Sequence, residues 1–107
     1  MIARFTEFTI RPEKQNELRS VVEKDILPVL RRQVGFVDHL MFVPETKQER
    51  LVSITLWTTK NDAETYHRTE FPKILELIKP FFKGTPEVNY YNVEFSTFHK
   101  LVAGKAA

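Results

Sequence analysis

The chain contains no cysteine. Disulfide frameworks, thiolate nucleophiles and cysteine-ligated zinc or iron–sulfur sites are therefore excluded. The absence fits a reducing compartment, and a cytoplasmic location is expected. Only three glycines occur among the 107 residues, and they are scattered. They build no P-loop, dinucleotide fingerprint or nucleophile elbow, and no His-Glu-x-x-His motif is present. No stretch approaches 18 consecutive apolar residues, so no membrane-spanning helix is expected. The opening Met1-Ile2-Ala3-Arg4-Phe5-Thr6-Glu7 reaches an acidic residue before an apolar run develops, so no signal peptide is expected either. Charge of one sign is also lacking. The 16 Lys and Arg stand against 14 Asp and Glu and are dispersed among them. Nucleic-acid binding needs a concentrated basic patch. Arg31-Arg32 and the Lys100 to Lys105 stretch read instead as solvated surface. The three histidines, His39, His67 and His99, do not cluster, and no metal site is expected.

What the chain does hold is apolar and aromatic. Hydrophobic residues make up 42% of it, and nine residues are Phe. A chain of this size buries roughly 60 to 68% of the surface that its unfolded form exposes. One modest core does not absorb all those aromatics, which points to a partner surface. The expected organisation is a single domain over residues 1–98 and a partly ordered C-terminal tail over 99–107.

Ile2 to Ile10 reads as a strand, with Thr6, Phe8 and Ile10 on one face and Phe5, Glu7 and Thr9 on the other. Residues 13 to 33 carry a helical stripe of Leu18, Val21, Val22, Ile26, Val29 and Leu30. Pro28 should kink or divide that helix. Phe36 to Val43 and Arg50 to Thr58 form an antiparallel hairpin around a turn at Pro44 to Glu49. In its second strand Val52, Ile54 and Leu56 share a clean apolar face. Leu51, Ser53, Thr55 and Trp57 share an amphipathic face resembling a cavity wall. Asn61 or Asp62 is positioned to cap a helix that runs to about Arg68. After a break at Thr69 to Pro72 a second helix carries Ile74, Leu75, Leu77, Ile78 and Phe81. Pro80 and Gly84-Thr85-Pro86 stop it, and Val88 to Phe98 is the last strand.

The order β-α-β-β-α-α-β fits an α+β sandwich: a ferredoxin-like four-stranded antiparallel sheet with helices on one face. Trp57, a Tyr row and several Phe are expected on the open face. Leaving that face wet exposes a large apolar patch. The expectation is a homodimer whose open faces meet, forming a dimeric α/β barrel.

Two constellations are candidates for chemistry. Trp57 near a strand end and His67 on the next helix are ten residues apart, and the crossover brings both toward one cavity mouth. Trp57 then offers a flat wall for an aromatic or macrocyclic ligand, and His67 a general base or an axial haem ligand. Alternatively Trp57 is a core aromatic and His67 a partly exposed helix residue. The second set comprises Thr6 or Glu7, Asp38 or His39, Ser53, Thr55, Tyr90 or Tyr91, and Asn89 or Asn92. Parity selects alternate members without saying which set faces inward. Glu7 in a semi-apolar strand is a candidate base, because burial disfavours its charge. The plainer alternative is a salt bridge to a neighbouring cation.

These residues resemble the antibiotic biosynthesis monooxygenase-like domain, a family of small dimeric α+β barrels. The resemblance covers about residues 2 to 95. Its carriers are Ala3-Arg4-Phe5-Thr6-Glu7-Phe8-Thr9-Ile10, Gly35-Phe36, Ile54-Thr55-Leu56-Trp57-Thr58-Thr59-Lys60-Asn61-Asp62-Ala63, Tyr66-His67 and Pro86-Glu87-Val88. The resemblance implies a homodimer with a cavity in each subunit between sheet and helices. It implies two chemistries: oxidation of aromatic phenols or quinols by molecular oxygen without metal or flavin, or haem degradation. In the first, His67, or alternatively Glu7, removes the phenolic proton. Trp57, Thr6, Ser53, Thr55, Tyr66 and Tyr91 hold the ring. In the second, His67 binds haem iron and Trp57 presses on the macrocycle. The haem branch carries an Asn on the first strand where this chain has Thr6 or Glu7. A non-enzymatic dimer that binds a small apolar molecule is the third reading. No cofactor is expected in the first reading, and no nucleic-acid or membrane partner in any.

Overall fold

The structure, a computed structural model, describes residues 1–46, 49–99 and 101–102. Strand β1 (Ile2–Ile10) runs into a 3-10 turn at Pro12–Lys14. Pro12 suits that position because its missing N–H is one a helical start leaves unpaired anyway. Helix α1 (Gln15–Val21) continues through a widened, π-type segment, Val22–Ile26, into α2 (Leu27–Arg31). The expected disturbance at Pro28 thus takes the form of a widening before it rather than a break. Pro28 removes one backbone donor and crowds the preceding turn, and the wider turn relieves both. Gly35, at φ 81°, turns the chain after α2. A Cβ there would collide with the Asp62 carboxyl group, so both the backbone angle and the space require glycine.

Strands β2 (Phe36–Phe42) and β3 (Arg50–Trp57) form the expected hairpin. Helix α3 (Lys60–Thr69) starts two or three residues earlier than expected, because Thr59 is the cap: its Oγ1 accepts from the Asp62 N–H at 3.1 Å. Helix α4 (Phe71–Ile78) carries Pro72 in its first turn and ends in a 3-10 turn, Lys79–Phe81. Strand β4 (Phe82–Asn92) begins well before the expected Val88. Gly84, at φ 69°, and Pro86 lie inside it rather than ending a helix. They sit where its register with β1 shifts between Glu7 and Thr9, and an edge strand tolerates such an irregularity. Phe95–Ser96 (β5) forms a separate short ladder with Leu101–Val102 (β6), so the last strand does not run on to Phe98. The tail expected from His99 onward falls largely outside the described residues.

The sheet order is β2-β3-β1-β4, antiparallel throughout, with the helices on one face. The ferredoxin-like sandwich is therefore present, but the barrel is not. The sheet ends at β2 on one side and β4 on the other, and β5–β6 does not join those edges. Four strands twisted by roughly 20–25° per neighbour make an open saddle, too few to close on themselves. The core lies between sheet and helices: Phe8, Ile10 and Leu51 from the strands meet Leu18, Val22, Ile26, Leu30, Ile74 and Ile78. No helix among the described residues is long and apolar enough to cross a membrane.

Candidate active site

The helix-facing side of the sheet is built by alternation. Arg4, Thr6, Phe8 and Ile10 of β1 point to the helices, as do Leu51, Ser53, Thr55 and Trp57 of β3. On β2 a register shift between Phe36 and Asp38 changes the parity. Phe36 stays against Trp57, while His39 and Met41 face inward opposite Thr55 and Ser53.

Between these strands and the helices lies a narrow cavity of about 50 Å³. Its walls are mostly Phe, Leu, Ile and Val side chains. Four polar groups break them: His39, Ser53, Thr55 and Tyr66. The amphipathic face of β3 is thus a cavity wall, as its composition indicates. His39 Nε2 and Ser53 Oγ share a hydrogen bond of 2.8 Å. Burial lowers the His39 pKa below its ordinary value, and Asp38 opposes that shift. His39 is therefore neutral near pH 7 and keeps one basic nitrogen. Thr55 Oγ1 accepts from Trp57 Nε1 at 2.9 Å, which leaves its own proton free to donate. Burial pushes the Tyr66 phenol up to about 12, against the pull of Arg4, so it too is a donor. Its hydroxyl makes no hydrogen bond with a side chain among the described residues.

The candidate residues fall into four places. Ser53, Thr55 and Tyr66 line the cavity. Trp57 is wholly buried behind it, on the helix side and not on the open face. Its ring is wedged between Phe36 at 5.7 Å and Tyr66 at 5.0 Å, so its parity belongs with Ser53 and Thr55. Thr6 is buried and accepts from Arg4 Nη1 at 2.9 Å. His67 lies on the exposed side of α3, stacked on Phe71 at 5.5 Å, and its Nδ1 is 2.8 Å from Arg4 Nη2. Trp57 and His67 are linked through the rings of Tyr66 and Phe71 but share no cavity wall. Glu7 lies on the opposite face of the sheet, half exposed, bonded to Arg50 at 2.6 Å. Tyr91 is on that face too, edge-on to Phe5 at 4.9 Å.

Two residues escape a reading of the sequence. His39 appears there only as one of a pair with Asp38. The alternation Val37, His39, Met41 matched to Leu51, Ser53, Thr55 is the signal that would have placed it. Arg4 carries no signal beyond its parity with Thr6 and Phe8, since a charged residue near a terminus ordinarily reads as surface.

The residues present do not fit haem. A guanidinium only donates, so the Arg4 contact makes His67 Nδ1 an acceptor and puts the ring proton on Nε2. Neither nitrogen is then free for iron. Trp57 offers no face to an opening.

The open side of the sheet carries a broad, shallow depression. Ala3, Phe5, Leu40, Ile54, Leu56 and Tyr91 form its floor, and the segment Asn92 to His99 flanks it. His99 Nε2 lies 3.5 Å from Asp38 Oδ2 across that depression.

Solved structures of the same fold span most of this chain. A putative antibiotic biosynthesis monooxygenase from Bordetella bronchiseptica aligns with a TM-score of 0.72 at 15% identity, over 86% of this chain and 95% of that one. SnoaB, a cofactor-independent oxygenase from Streptomyces nogalater, aligns at 0.69 and 17%, over 90% and 95%. A conserved protein from Methanosarcina mazei Go1 aligns at 0.69 and 21%, over 84% and 89%. At these identities the likeness is one of fold. No curated protein matches the chain. The sequence model for antibiotic biosynthesis monooxygenase matches residues 1–73, about two thirds of the chain. This open-sheet sandwich, with an apolar cavity under its helices, belongs to the antibiotic biosynthesis monooxygenase family.

Proposed function

We propose that the protein is a cofactor-independent monooxygenase that oxidises a small aromatic phenol or quinol with molecular oxygen. The observation that carries this reading is the apolar cavity with a neutral, serine-bonded histidine in its wall. At about 50 Å³ the cavity must widen to take an aromatic ring, and its apolar walls then exclude water. His39 Nε2, or Ser53 relaying to it, accepts the phenolic proton. The resulting imidazolium and phenolate neutralise each other in a space where either charge alone is costly. Thr55 and Tyr66 each keep a hydroxyl proton for the substrate oxygen as its charge grows. The electron-rich phenolate reduces oxygen directly. One oxygen atom enters the ring as a new carbonyl and the other leaves as water, so a phenol becomes a quinone. His67 and Glu7 take no part in this version, since one lies outside the cavity and the other on the opposite face.

The open face of the sheet bears Leu40, Phe42 and Tyr91, all substantially exposed, and the reading includes its cover by a second copy of the chain. The direct test is oxygen uptake with a panel of mono- and bicyclic phenols and quinols. Uptake should depend on substrate. It should fall by about 10²-fold or more in His39→Ala, the usual scale for losing a general base. Substrate-independent uptake, or full activity in His39→Ala, overturns the assignment.

A further inference from the structure

A second polar cluster lies outside the cavity, around Arg4. This residue is only 2% exposed, yet it joins no ion pair with a carboxylate among the described residues. Its guanidinium bonds Thr6 and His67 and lies over the Phe71 ring at 4.0 Å and beside the Tyr66 ring at 5.3 Å. Its Nε is buried with no partner among the described residues. A buried carboxylate or amine can escape its charge by gaining or losing a proton. A guanidinium cannot. Aromatic faces offset part of the cost, but they carry no net charge.

The contact with His67 settles which way that histidine works. Because Nδ1 accepts from Arg4, the proton sits on Nε2, on the far side of the ring from the cation. His67 is therefore a neutral donor at an exposed position, polarised by a full positive charge 2.8 Å behind it. The acidic side chains three residues away on either side are already engaged. Glu64 is 3.8 Å from Lys60, and Glu70 is 3.7 Å from Lys73. Buried Phe71 stacks on His67 and holds its ring in place, while half-buried Tyr90 stands edge-on to it at 6.4 Å and borders the spot.

We propose that Arg4 and His67 form one oxyanion-binding unit on the outer side of α3, which receives the carboxylate of an aromatic acid. His67 Nε2–H donates to the carboxylate, Arg4 supplies the opposing charge from behind, and Tyr90 borders the ligand ring. The unit lies outside the cavity and stands independently of the oxygenase reading.

Benzoate is the probe, titrated against chloride at constant ionic strength and followed by nitrogen–proton correlation spectra of the histidine side chains. His67 should occupy the Nε2–H form near neutral pH, and its signals should move saturably with benzoate. Affinity should fall roughly tenfold or more in Arg4→Gln, the scale expected for a charge-assisted contact. Benzoate should also bind several-fold more tightly than acetate. An Nδ1–H tautomer, the lack of a saturable shift, or equal affinity in Arg4→Gln overturns the proposal, and parity with acetate overturns its aromatic part. Should Arg4→Gln fail to fold, His67→Ala decides at an exposed position. Benzoate-induced shifts of Phe71 and Tyr90 should vanish in that variant, and their persistence overturns the proposal.

Discussion

The two faces of the sheet invert the usual arrangement. The face under the helices buries an arginine and two threonines, and half-buries a serine-bonded histidine, among its apolar side chains. The face toward solvent presents Phe5, Leu40, Phe42, Ile54 and Tyr91. Burying polar groups is costly unless each finds a partner, and here nearly all do: Thr6 with Arg4, Thr55 with Trp57, Ser53 with His39. Leaving apolar groups wet is equally unproductive unless something covers them. The inversion teaches that the two faces serve different ends. Polar groups go where water is excluded and chemistry gains from a low dielectric. Apolar groups go where a partner is to be met.

The hardest way to break this contrast is through Trp57. Its ring is fully buried on the inner face, packed on Phe36 and Tyr66, and its N–H satisfies Thr55. Trp57→Ala should destabilise the fold by about 3–5 kcal/mol, since it leaves a large void and an unpaired hydroxyl oxygen. Urea unfolding followed by circular dichroism measures this. A loss below about 1 kcal/mol would mean that the inner face is loosely packed and that Trp57 is a ligand wall after all.

The open face should respond in the opposite way. Leu40→Lys with Phe42→Lys alters two exposed side chains on the edge strand β2. The fold of one chain should survive nearly unchanged. Self-association, read by light scattering on a sizing column, should weaken by at least tenfold, about 1.4 kcal/mol. A wild-type chain that stays monomeric at micromolar concentration would remove the second copy from the reading, and the apolar face would need another occupant.

Much of this contrast is legible in the sequence, though not its sign. Alternation sorts β1 and β3 into their two sets of side chains, and the bounds of β1 are readable because Pro12 ends it. The amphipathic set Leu51, Ser53, Thr55 identifies a cavity wall by composition alone. Which set faces inward depends on where the helices pack, and that is a long-range property. Trp57 is the instructive case: its set is readable, but its side of the sheet is not. The register shift after Phe36 hides His39, because one irregular residue exchanges the faces of a short strand. Arg4 is hidden for another reason. Its burial rests on His67, 63 positions away, and on Phe71, and no local pattern announces either contact. The closed barrel fails because closure depends on strand number and edge pairing, which periodicity does not report.

The smallest effect sharpens the contrast most directly, because it reads the dryness of the inner face. Burial holds His39 below its ordinary value of 6.5, to which unfolding returns it. Between the folded value and 6.5 the unfolded chain binds more protons than the folded one. The stability contributed by a neutral His39 is therefore complete above about pH 6.5 and is lost as the pH falls through that window. The slope from this one group is at most about 1.4 kcal/mol per pH unit. His67, lowered by its packing and by Arg4, acts in the same direction, so the wild-type slope exceeds that of His39 alone. His39→Gln keeps a polar partner for Ser53 and removes one titration. Urea midpoints measured from pH 7.5 down to about 5 should fall less steeply in the variant than in the wild type. Superimposable slopes would show that His39 takes up its proton as readily in the folded chain as in the unfolded one. A charged histidine needs water or a counter-ion beside it, so the cavity wall would be wet and the polar face would lose the property that separates it from the open one.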